Sequence, residues 1–582
     1  MILNTSNQAN TTMSISKILH TKMSDLSESE KEIRRKYFQE YYSRNKDTIL
    51  TQQRQRRKNL KVDKEQQSSS SSSSPSSSST DEEKPINLCE DQIQALIEIE
   101  TFLSGHKRVF NLKGGGGTGK TSILANLVKM PCIKEVGIIF LTPTHKSAQV
   151  LRKSLQQNVS TYHSYFKFHH TYDKNGKSCF VHTIHLEGST EDTMNKGSSR
   201  IIVCDECSMI SDNDLKAFKY FLQWNEGNKI IFVGDQCQLF PINEILNEKD
   251  GTKSIVVNKL SGSFHTADDS FSLTKIKRTQ NPDIKDVYKE FRQSTKTHDL
   301  SIPTQLLQSI RENKAKYPCD PNVFVHSDVN DFQEKMIESF KSDVETVVVC
   351  CSNKKVQCYS KLIHQQVYNN TLHVGQRLIS TGIFSPEGSV EYKKCLAKNN
   401  QYALNCLCKY GVRIYTCTVM KITSLKRIEN LEYNGKNFKG YEVTASTGDI
   451  DDFFAQFINE SDLMAKEFTF SLVEKDELKR FRQEVCIVKK KVKKQVDQLV
   501  PLGENKRKEI NALWKKFYDN VNYVNAPIEP MIALTTYKSQ GSTYKNVFCD
   551  LTDINTCRKS ASKFHEMYTA VTRASNKLHI HC

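Results

Sequence analysis

The residues best suited to chemistry form a run of eight, Gly114-Gly115-Gly116-Gly117-Thr118-Gly119-Lys120-Thr121, followed by Ser122. Glycines at this density let successive backbone amides turn inward and cradle an anion. A lysine after the last glycine reaches the β- and γ-phosphates of a nucleotide, and the next hydroxyl, on Thr121, ligates Mg²⁺. A second pair, Asp205-Glu206, supplies the rest of a hydrolytic site. Asp205 is suited to hold the magnesium ion, and Glu206 to orient and deprotonate an attacking water.

Such residues work only where the chain holds them. The glycine run lies between a strand-like stretch, 107–113, and a helical one, 122–129, which is the context that GxxxxGK[ST] requires. A helix N-terminus behind the loop adds favourable dipole charge for phosphate. Asp205 ends the apolar run Arg200–Cys204, the pattern of a strand buried on both faces of a parallel sheet. Ligands bind at the carboxyl ends of such strands. The expected class is therefore α/β with parallel sheets and a phosphate-binding loop.

The rest of the 582 residues bounds the partners. At about 150 residues per domain the chain holds three or four domains. No run of about 18 apolar residues occurs, so no membrane helix is expected, and the N-terminus carries no secretory h-region. The 18 cysteines then read as reduced thiols. Cys204 and Cys207 have CxxC spacing with no second pair nearby, while Cys395, Cys406, Cys408 and Cys417 are irregular, a poor pattern for zinc. The formal net charge of +17 suggests a polyanionic partner. It is concentrated: residues 31–64 and 475–516 each carry a net +8. The first patch includes Ile33, Tyr37 and Tyr41 at helical spacing. It precedes residues 68–79, eleven serines and one proline, which read as a flexible linker ending near Pro85.

Further motifs carry a resemblance. Asp205-Glu206-Cys207-Ser208-Met209, Gly234-Asp235-Gln236-Cys237-Gln238-Leu239-Phe240-Pro241, Leu141-Thr142-Pro143-Thr144-His145-Lys146-Ser147-Ala148 and Thr161-Tyr162-His163-Ser164 resemble the DExSM, GDxxQLPP, TAPTHKAA and TIHS elements of superfamily-1 helicases of the RecD-like and Dda-like branch. Thr535-Thr536-Tyr537-Lys538-Ser539-Gln540-Gly541 and Tyr568-Thr569-Ala570-Val571-Thr572-Arg573-Ala574 are similar to its TxHKxQG and YVAVTRA segments. Leu273-Thr274 with Arg278 resembles the opening of the second motor, and Leu88 to Gln92 the adenine-reading element. Gly116, Phe240 and Tyr537 depart from the family's usual residues, none of them at a charged position of the chemistry.

The resemblance implies two RecA-like motor domains, ATP and Mg²⁺ as cofactors, and translocation five-prime to three-prime on single-stranded DNA. Gln92 is expected at the adenine edge, Gln238 as sensor of the γ-phosphate, and Arg278 and Arg573 as arginines that neutralise the transferring phosphoryl group. Pro143, Thr144, His145, His163, Thr536 and Lys538 are expected to touch nucleic acid. The expected layout is a tail (1–84), motor 1 (85–265), motor 2 in two parts (266–364 and 526–582), and an inserted SH3-like and basic helical domain (365–525). A hairpin at about 165–185, with a type I′ turn at Asn175-Gly176, is expected to act as a pin, with Tyr172 or Phe180 stacking on the last base pair. Forked DNA, and replication or repair proteins, are the expected partners of a monomeric motor inside the cell. A basic, serine-rich tail fits a large DNA virus or a eukaryote, with the nucleus or cytoplasm, of a host if viral, as location. The motifs do not separate DNA from RNA as the track, or unwinding from translocation alone. A non-motor recruitment protein is expected to have lost Lys120, Glu206 or Arg573, and all three are present.

Overall fold

The computed structural model describes residues 88–130, 133, 137–181, 199–241, 243–246, 253–256, 260–314, 322–342, 345–384, 414, 416–447, 467–502, 506–557 and 562–582. The tail helix at Ile33, Tyr37 and Tyr41, the serine linker, the start near Pro85, and Cys395, Cys406 and Cys408 lie outside the described residues, as does the side chain of Phe180. Two units divide the chain, 1–106 and 107–582.

In the first unit, helix α1 (Glu90–Ser104) buries Ala95, Leu96, Ile97, Ile99 and Phe102. Gln92 closes its first turn: its Oε1 accepts from the Cys89 amide at 3.0 Å. Glu90 and Asp91 complement the positive end of the helix dipole.

The second unit opens with β1 (Val109–Gly114), α2 (Lys120–Leu127), β2 (Gly137–Thr142), α3 (His145–Leu155) and β3 (Val159–Thr161). A hairpin follows, β4 (His169–Tyr172) and β5 (Ser178–Val181), then β6 (Arg200–Cys204), α4 (Asp212–Trp224), β7 (Lys229–Gly234), a short pair β8 (Asn243–Leu246) and β9 (Lys253–Val256), and β10 (Asp269–Leu273). Six of these strands form one parallel sheet in the order β10-β1-β7-β6-β2-β3. The apolar runs Ile201–Cys204 and Ile230–Val233 are buried throughout, as strands covered on both faces must be. The order puts β1 beside β7, and β7 beside β6. The glycine loop, Asp235 and Asp205 therefore leave the carboxyl edge of neighbouring strands.

From β10 the chain makes its crossing between sheets. Lys277 and Arg278 donate their amides to Gly117 O (2.6 and 2.9 Å) as it passes the glycine loop. Next come α5 (Pro282–Thr297), started by an Asn281 cap and a proline in the first turn, α6 (Ser301–Lys314), β11 (Val323–His326), α7 (Val329–Lys341), β12 (Thr346–Cys350) and α8 (Asn353–Gln366). Strands β13 (Arg377–Ser380), β14 (Val419–Tyr433), β15 (Lys436–Thr447) and β16 (Glu467–Val473), helices α9 (Leu478–Leu499) and α10 (Arg507–Val524), and β17 (Ile528–Pro530) interrupt it. The chain closes with β18 (Ala533–Thr535), β19 (Tyr544–Asp550), α11 (Ser562–Val571) and β20 (Ala574–His581). The second parallel sheet, β11-β20-β19-β12-β18, thus combines strands from both sides of the interruption. Two parallel sheets with helices on their faces match the expected α/β class and are called motor 1 and motor 2 below.

The interruption is an antiparallel sheet in the order β16-β15-β14-β13-β17. Its ends approach: the Ala526 amide donates to Ser471 O at 2.9 Å, around a core including Leu378, Met420, Val443 and Phe470. The long β14–β15 hairpin turns at Asn434-Gly435, both at positive φ (52° and 73°), which is the type I′ signature.

The β4–β5 hairpin differs from its expected turn. Only Gly176 has positive φ (75°) there. Asp173 pairs with Lys177 through its amide (2.9 Å), and its Oδ1 accepts from the amides of Asn175 and Lys177 (2.8 Å each). The aspartate competes for the amides and produces a three-residue loop with a left-handed glycine. The hairpin also rests on α9 and α10. Tyr518 Oη donates to Gly176 O (2.9 Å), the Tyr172 amide to Asn511 Oδ1 (3.1 Å), and Lys493 Nζ to Lys174 O (3.0 Å). Tyr172 stacks on Tyr518 (centroids 5.1 Å, planes at 17°), and Gly176 lies on the buried Trp514 indole.

Candidate active site

The glycine loop is shaped by backbone demands. Gly117 and Gly119 have φ of 81° and 84°, a region costly for other residues. Thr118 Oγ1 donates back to Gly115 O (2.9 Å). Gly115 and Gly116 are required by neighbours from motor 2. A Cβ on Gly115 would stand 3.0 Å from Arg292 and 3.1 Å from Tyr568 Oη, and one on Gly116 would stand 3.0 Å from the Thr572 methyl. That crowding accounts for a glycine at 116 where the resembling family usually has a larger residue. Lys120 Nζ donates to the carbonyls of Gly114 (2.8 Å) and Gly115 (3.2 Å), and Thr121 and Ser122 sit in the first turn of α2.

Asp205 and Glu206 share the adjacent strand end. Asp205 is buried and accepts the Glu206 amide (2.9 Å). Burial, then the Glu206 charge, raises its pKa, while Lys120 pulls it back. Glu206 sits at φ 55°, and its Oε2 is buried without a hydrogen-bond partner. A carboxylate raised by burial and a second one with an unmet acceptor form a site short of positive charge and of donors. A hydrated Mg²⁺ held by Thr121, Asp205 and substrate phosphates fits that deficit, and magnesium uses such partial protein shells. Among the described residues no group of three or more His, Cys, Asp or Glu stands together as a metal cage.

Motor 2 reaches the same loop. Arg278 donates to Thr572 O (2.7 Å) beside Gly117. Arg573 is 1% exposed and makes three bonds, to Thr569 O (2.9 Å), Ser542 O (3.1 Å) and Thr572 Oγ1 (2.9 Å). Burial, then the nearby Arg278, lowers its pKa. Gln238 is linked to motor 2 as well: Gln540 Nε2 donates to its Oε1 (3.2 Å) and His565 Nδ1 bonds its carbonyl (3.0 Å). Lys120, Asp205, Glu206, Gln238, Arg278 and Arg573 therefore gather at one loop. Gln92 belongs to the other unit.

Several residues of this site escape sequence reasoning. Asp235, Gln540 and Tyr568 lie inside the quoted motifs with no role read for them. Tyr568 Oη donates to Asp235 Oδ2 (2.9 Å) and accepts the Gly116 amide (2.8 Å). Arg292 lies in no motif; its only signal is its place beside the apolar face Ile284, Val287, Tyr288 and Phe291 of α5.

The expected nucleic-acid residues divide. Pro143, His145 and Lys538 are partly exposed at strand ends. Burial depresses His145 to a pKa of about 3, so its ring is neutral at ordinary pH. Thr144 spends its hydroxyl capping α3, on the Ser147 amide (3.1 Å). His163 is held by Asp214 (3.6 Å) and the rings of Tyr162 and Phe168. Two expectations fail. Thr536 is 0% exposed and bonds Cys350 O (3.3 Å), so no strand reaches it. Tyr172 is already stacked on Tyr518 and is not free to stack on a base pair.

Comparison with known proteins agrees with this arrangement. Residues 87–305 match the family model of an AAA domain, and residues 530–581 that of a UvrD-like helicase C-terminal domain. An uncharacterized protein of Acanthamoeba polyphaga mimivirus is 21% identical over 527 residues, spanning 84% of this chain and 98% of that one. Among solved structures, a Bacteroides Pif1 helicase in complex with ADP-AlF3 and single-stranded DNA is 14% identical, with 86% of this chain and 93% of that chain covered and a TM-score of 0.42. A Pif1 helicase from Candida albicans is 14% identical over 85% and 95%, with a TM-score of 0.39. Those two scores are too low to add to what the family models carry. No described helix is long and apolar enough to cross a membrane. With an AAA domain and a UvrD-like helicase C-terminal domain meeting at one phosphate loop, this protein is an ATP-dependent DNA helicase.

Proposed function

We propose that the helicase hydrolyses ATP with Mg²⁺ to move five-prime to three-prime along single-stranded DNA and to open forked duplexes in replication, repair or recombination. The observation that carries this reading is the meeting of Lys120, Asp205, Glu206, Arg278 and Arg573, from both motors, around one glycine loop. Gly116–Thr121 amides and Lys120 bind the β- and γ-phosphates. Bound magnesium supplies charge neutralisation and orients the phosphates. Glu206, whose Oε2 has an unmet acceptor, holds the attacking water and takes its proton. Arg278 and Arg573 leave their carbonyl partners for the γ-phosphoryl oxygens as the motors close, which ties hydrolysis to movement. Pro143, Thr144, His145, His163 and Lys538 line the track. The direction rests on the resemblance to the RecD-like branch. Division into motors at 85–265 and 266–364 with 526–582, and an insertion at 365–525, belongs to the same reading.

The β4–β5 hairpin acts at the fork as a braced wedge. Its stiffness comes from α9 and α10, and its tip presents Lys174 and Asn175, both exposed. The test is strand displacement on five-prime-tailed, three-prime-tailed and RNA-containing forks, with Lys120→Ala as control. Unwinding is expected on five-prime-tailed DNA alone and is lost in the variant. Equal activity on three-prime tails would overturn the direction, and stimulation of Lys120→Ala by single strands would overturn the site.

A further inference from the structure

Arg278 and Arg573 explain how motor 2 acts on a phosphate already bound. A different contact decides what motor 2 does before that. Gly116 donates its amide to Tyr568 Oη at 2.8 Å, and that hydroxyl donates its proton to Asp235 Oδ2 at 2.9 Å. Tyr568 is 1% exposed and Asp235 is 1% exposed, so water does not compete for either bond. Asp235 also accepts the Cys237 amide (3.0 Å) and lies near Gln238 Nε2 (3.5 Å). Beside them stands Arg292, drawn to the Asp235 and Tyr568 oxygens, with its Nε buried and unpaired. Its NH1 and the Tyr568 Oη crowd the same face of Gly115.

A loop amide that binds phosphate is thus held by a tyrosine of the other motor. We propose that Tyr568 is a positioning residue that competes with nucleotide phosphate for the Gly116 amide, and that Asp235 and Arg292 form the relay that decides the competition. The inference rests on the helicase reading above and deepens it. A phosphate oxygen arriving at Gly116 meets the lone pairs of Tyr568 Oη, because the hydroxyl's one proton is committed to Asp235. The two acceptors repel, and the stronger, charged one takes the amide. Tyr568 then withdraws, and Asp235 exchanges its hydroxyl partner for the Arg292 guanidinium, whose Nε has no partner until that moment. Helix α11 carries Tyr568 in its last turn, and Thr572 and Arg573 follow in the turn that leads into β20. Withdrawal of Tyr568 therefore re-seats Arg573, and phosphate binding is registered by motor 2 before hydrolysis.

The relay predicts effects of opposite sign. ADP and a non-hydrolysable ATP analogue, each with Mg²⁺, are titrated against the full-length protein, and single-strand-stimulated ATPase is measured alongside. Tyr568→Phe removes the competitor and keeps the ring. Nucleotide affinity is expected to rise three- to tenfold while kcat falls at least tenfold, because α11 no longer reports the phosphate. Arg292→Gln removes the alternative partner of Asp235 and holds Tyr568 in place, so affinity falls about fivefold. In the double variant the Arg292→Gln effect is expected to shrink below twofold. A purely structural role weakens binding in both single variants, and a direct Arg292–phosphate contact leaves its effect intact on the Tyr568→Phe background; either result overturns the relay. Should Tyr568→Phe fail to fold, by its melting curve, Tyr568→Trp takes its place and must also bind nucleotide more tightly than wild type. Absence of stimulated ATPase in the wild type would instead refute the motor reading, which separates the two failures.

Discussion

Substituting Gly176 by alanine tests the brace under the β4–β5 hairpin. At φ 75°, an alanine costs about 1–2 kcal/mol more than glycine. Its methyl would lie 2.7, 2.8 and 2.9 Å from three ring carbons of Trp514. Carbon atoms prefer about 3.5–4.0 Å. The indole cannot retreat, since it is fully buried between Phe517 (5.9 Å) and Tyr518 (6.3 Å), so overpacking adds about 1–3 kcal/mol. Against this stand the docking contacts: two backbone hydrogen bonds to Asn511 and Tyr518, about 1 kcal/mol each, and the Tyr172–Tyr518 stack, about 1 kcal/mol. The exposed Lys493 contact adds little. The penalty of about 2–5 kcal/mol is thus comparable to the docking energy of about 3 kcal/mol, and a shift of about 3 kcal/mol lowers the docked-to-free ratio about 150-fold. Hydrogen exchange of the Tyr172 amide reads this directly and is expected to accelerate by about that factor. In parallel, duplex unwinding is expected to fall at least tenfold, while single-strand-stimulated ATPase stays within twofold. Undiminished protection would refute the steric argument. Lost protection with normal unwinding would refute the role of the brace.

Arg573→Lys is expected to keep nucleotide affinity within twofold and lower kcat at least 100-fold, since lysine keeps the charge without the planar fork; stopped-flow hydrolysis checks it. His145 is held neutral when folded, with its pKa depressed from 6.5 to about 3. Its contribution to stability is complete above pH 6.5 and drains away as pH falls toward 3, by about 1 kcal/mol for the first unit below 6.5. Urea melts of His145→Gln at pH 7.5 and 5.5 are expected to show a smaller acid loss than wild type. Deleting residues 1–84 is expected to leave ATPase intact and reduce the salt slope of DNA binding; an unchanged slope would remove the tail as a DNA tether.

Legibility followed the reach of each interaction along the chain. Strands such as Arg200–Cys204 were readable because an apolar run between turn residues has few alternatives, and the site acids follow from where such strands end. Turn chemistry was less readable. Asn-Gly occurs at 175–176 and at 434–435, yet only the second adopts the type I′ turn, because Asp173 captures the amides at the first. Thr536 looked like a contact residue, since a hydroxyl in a motif does not announce that it will bond Cys350 across 186 positions. Arg292 and Tyr568 were hidden for the same reason. Their partners Asp235 and Gly116 are brought to them only when the second motor closes on the first, 333 and 452 positions away for Tyr568.

The crossing between the motors has a mechanical consequence. Leu273 leaves β10 at the edge of the first sheet, and within five residues Arg278 is bonded to Gly117. The pivot of the machine is thus anchored at its fuel. Rotation about such a fulcrum displaces the phosphate-binding groups very little, while the far end of the second motor sweeps an arc. At a radius of about 30 Å, a turn of about 10° carries a point through about 5 Å. Small, accurate motions at the nucleotide and large strokes at the DNA come from one lever, with the short arm placed where precision matters.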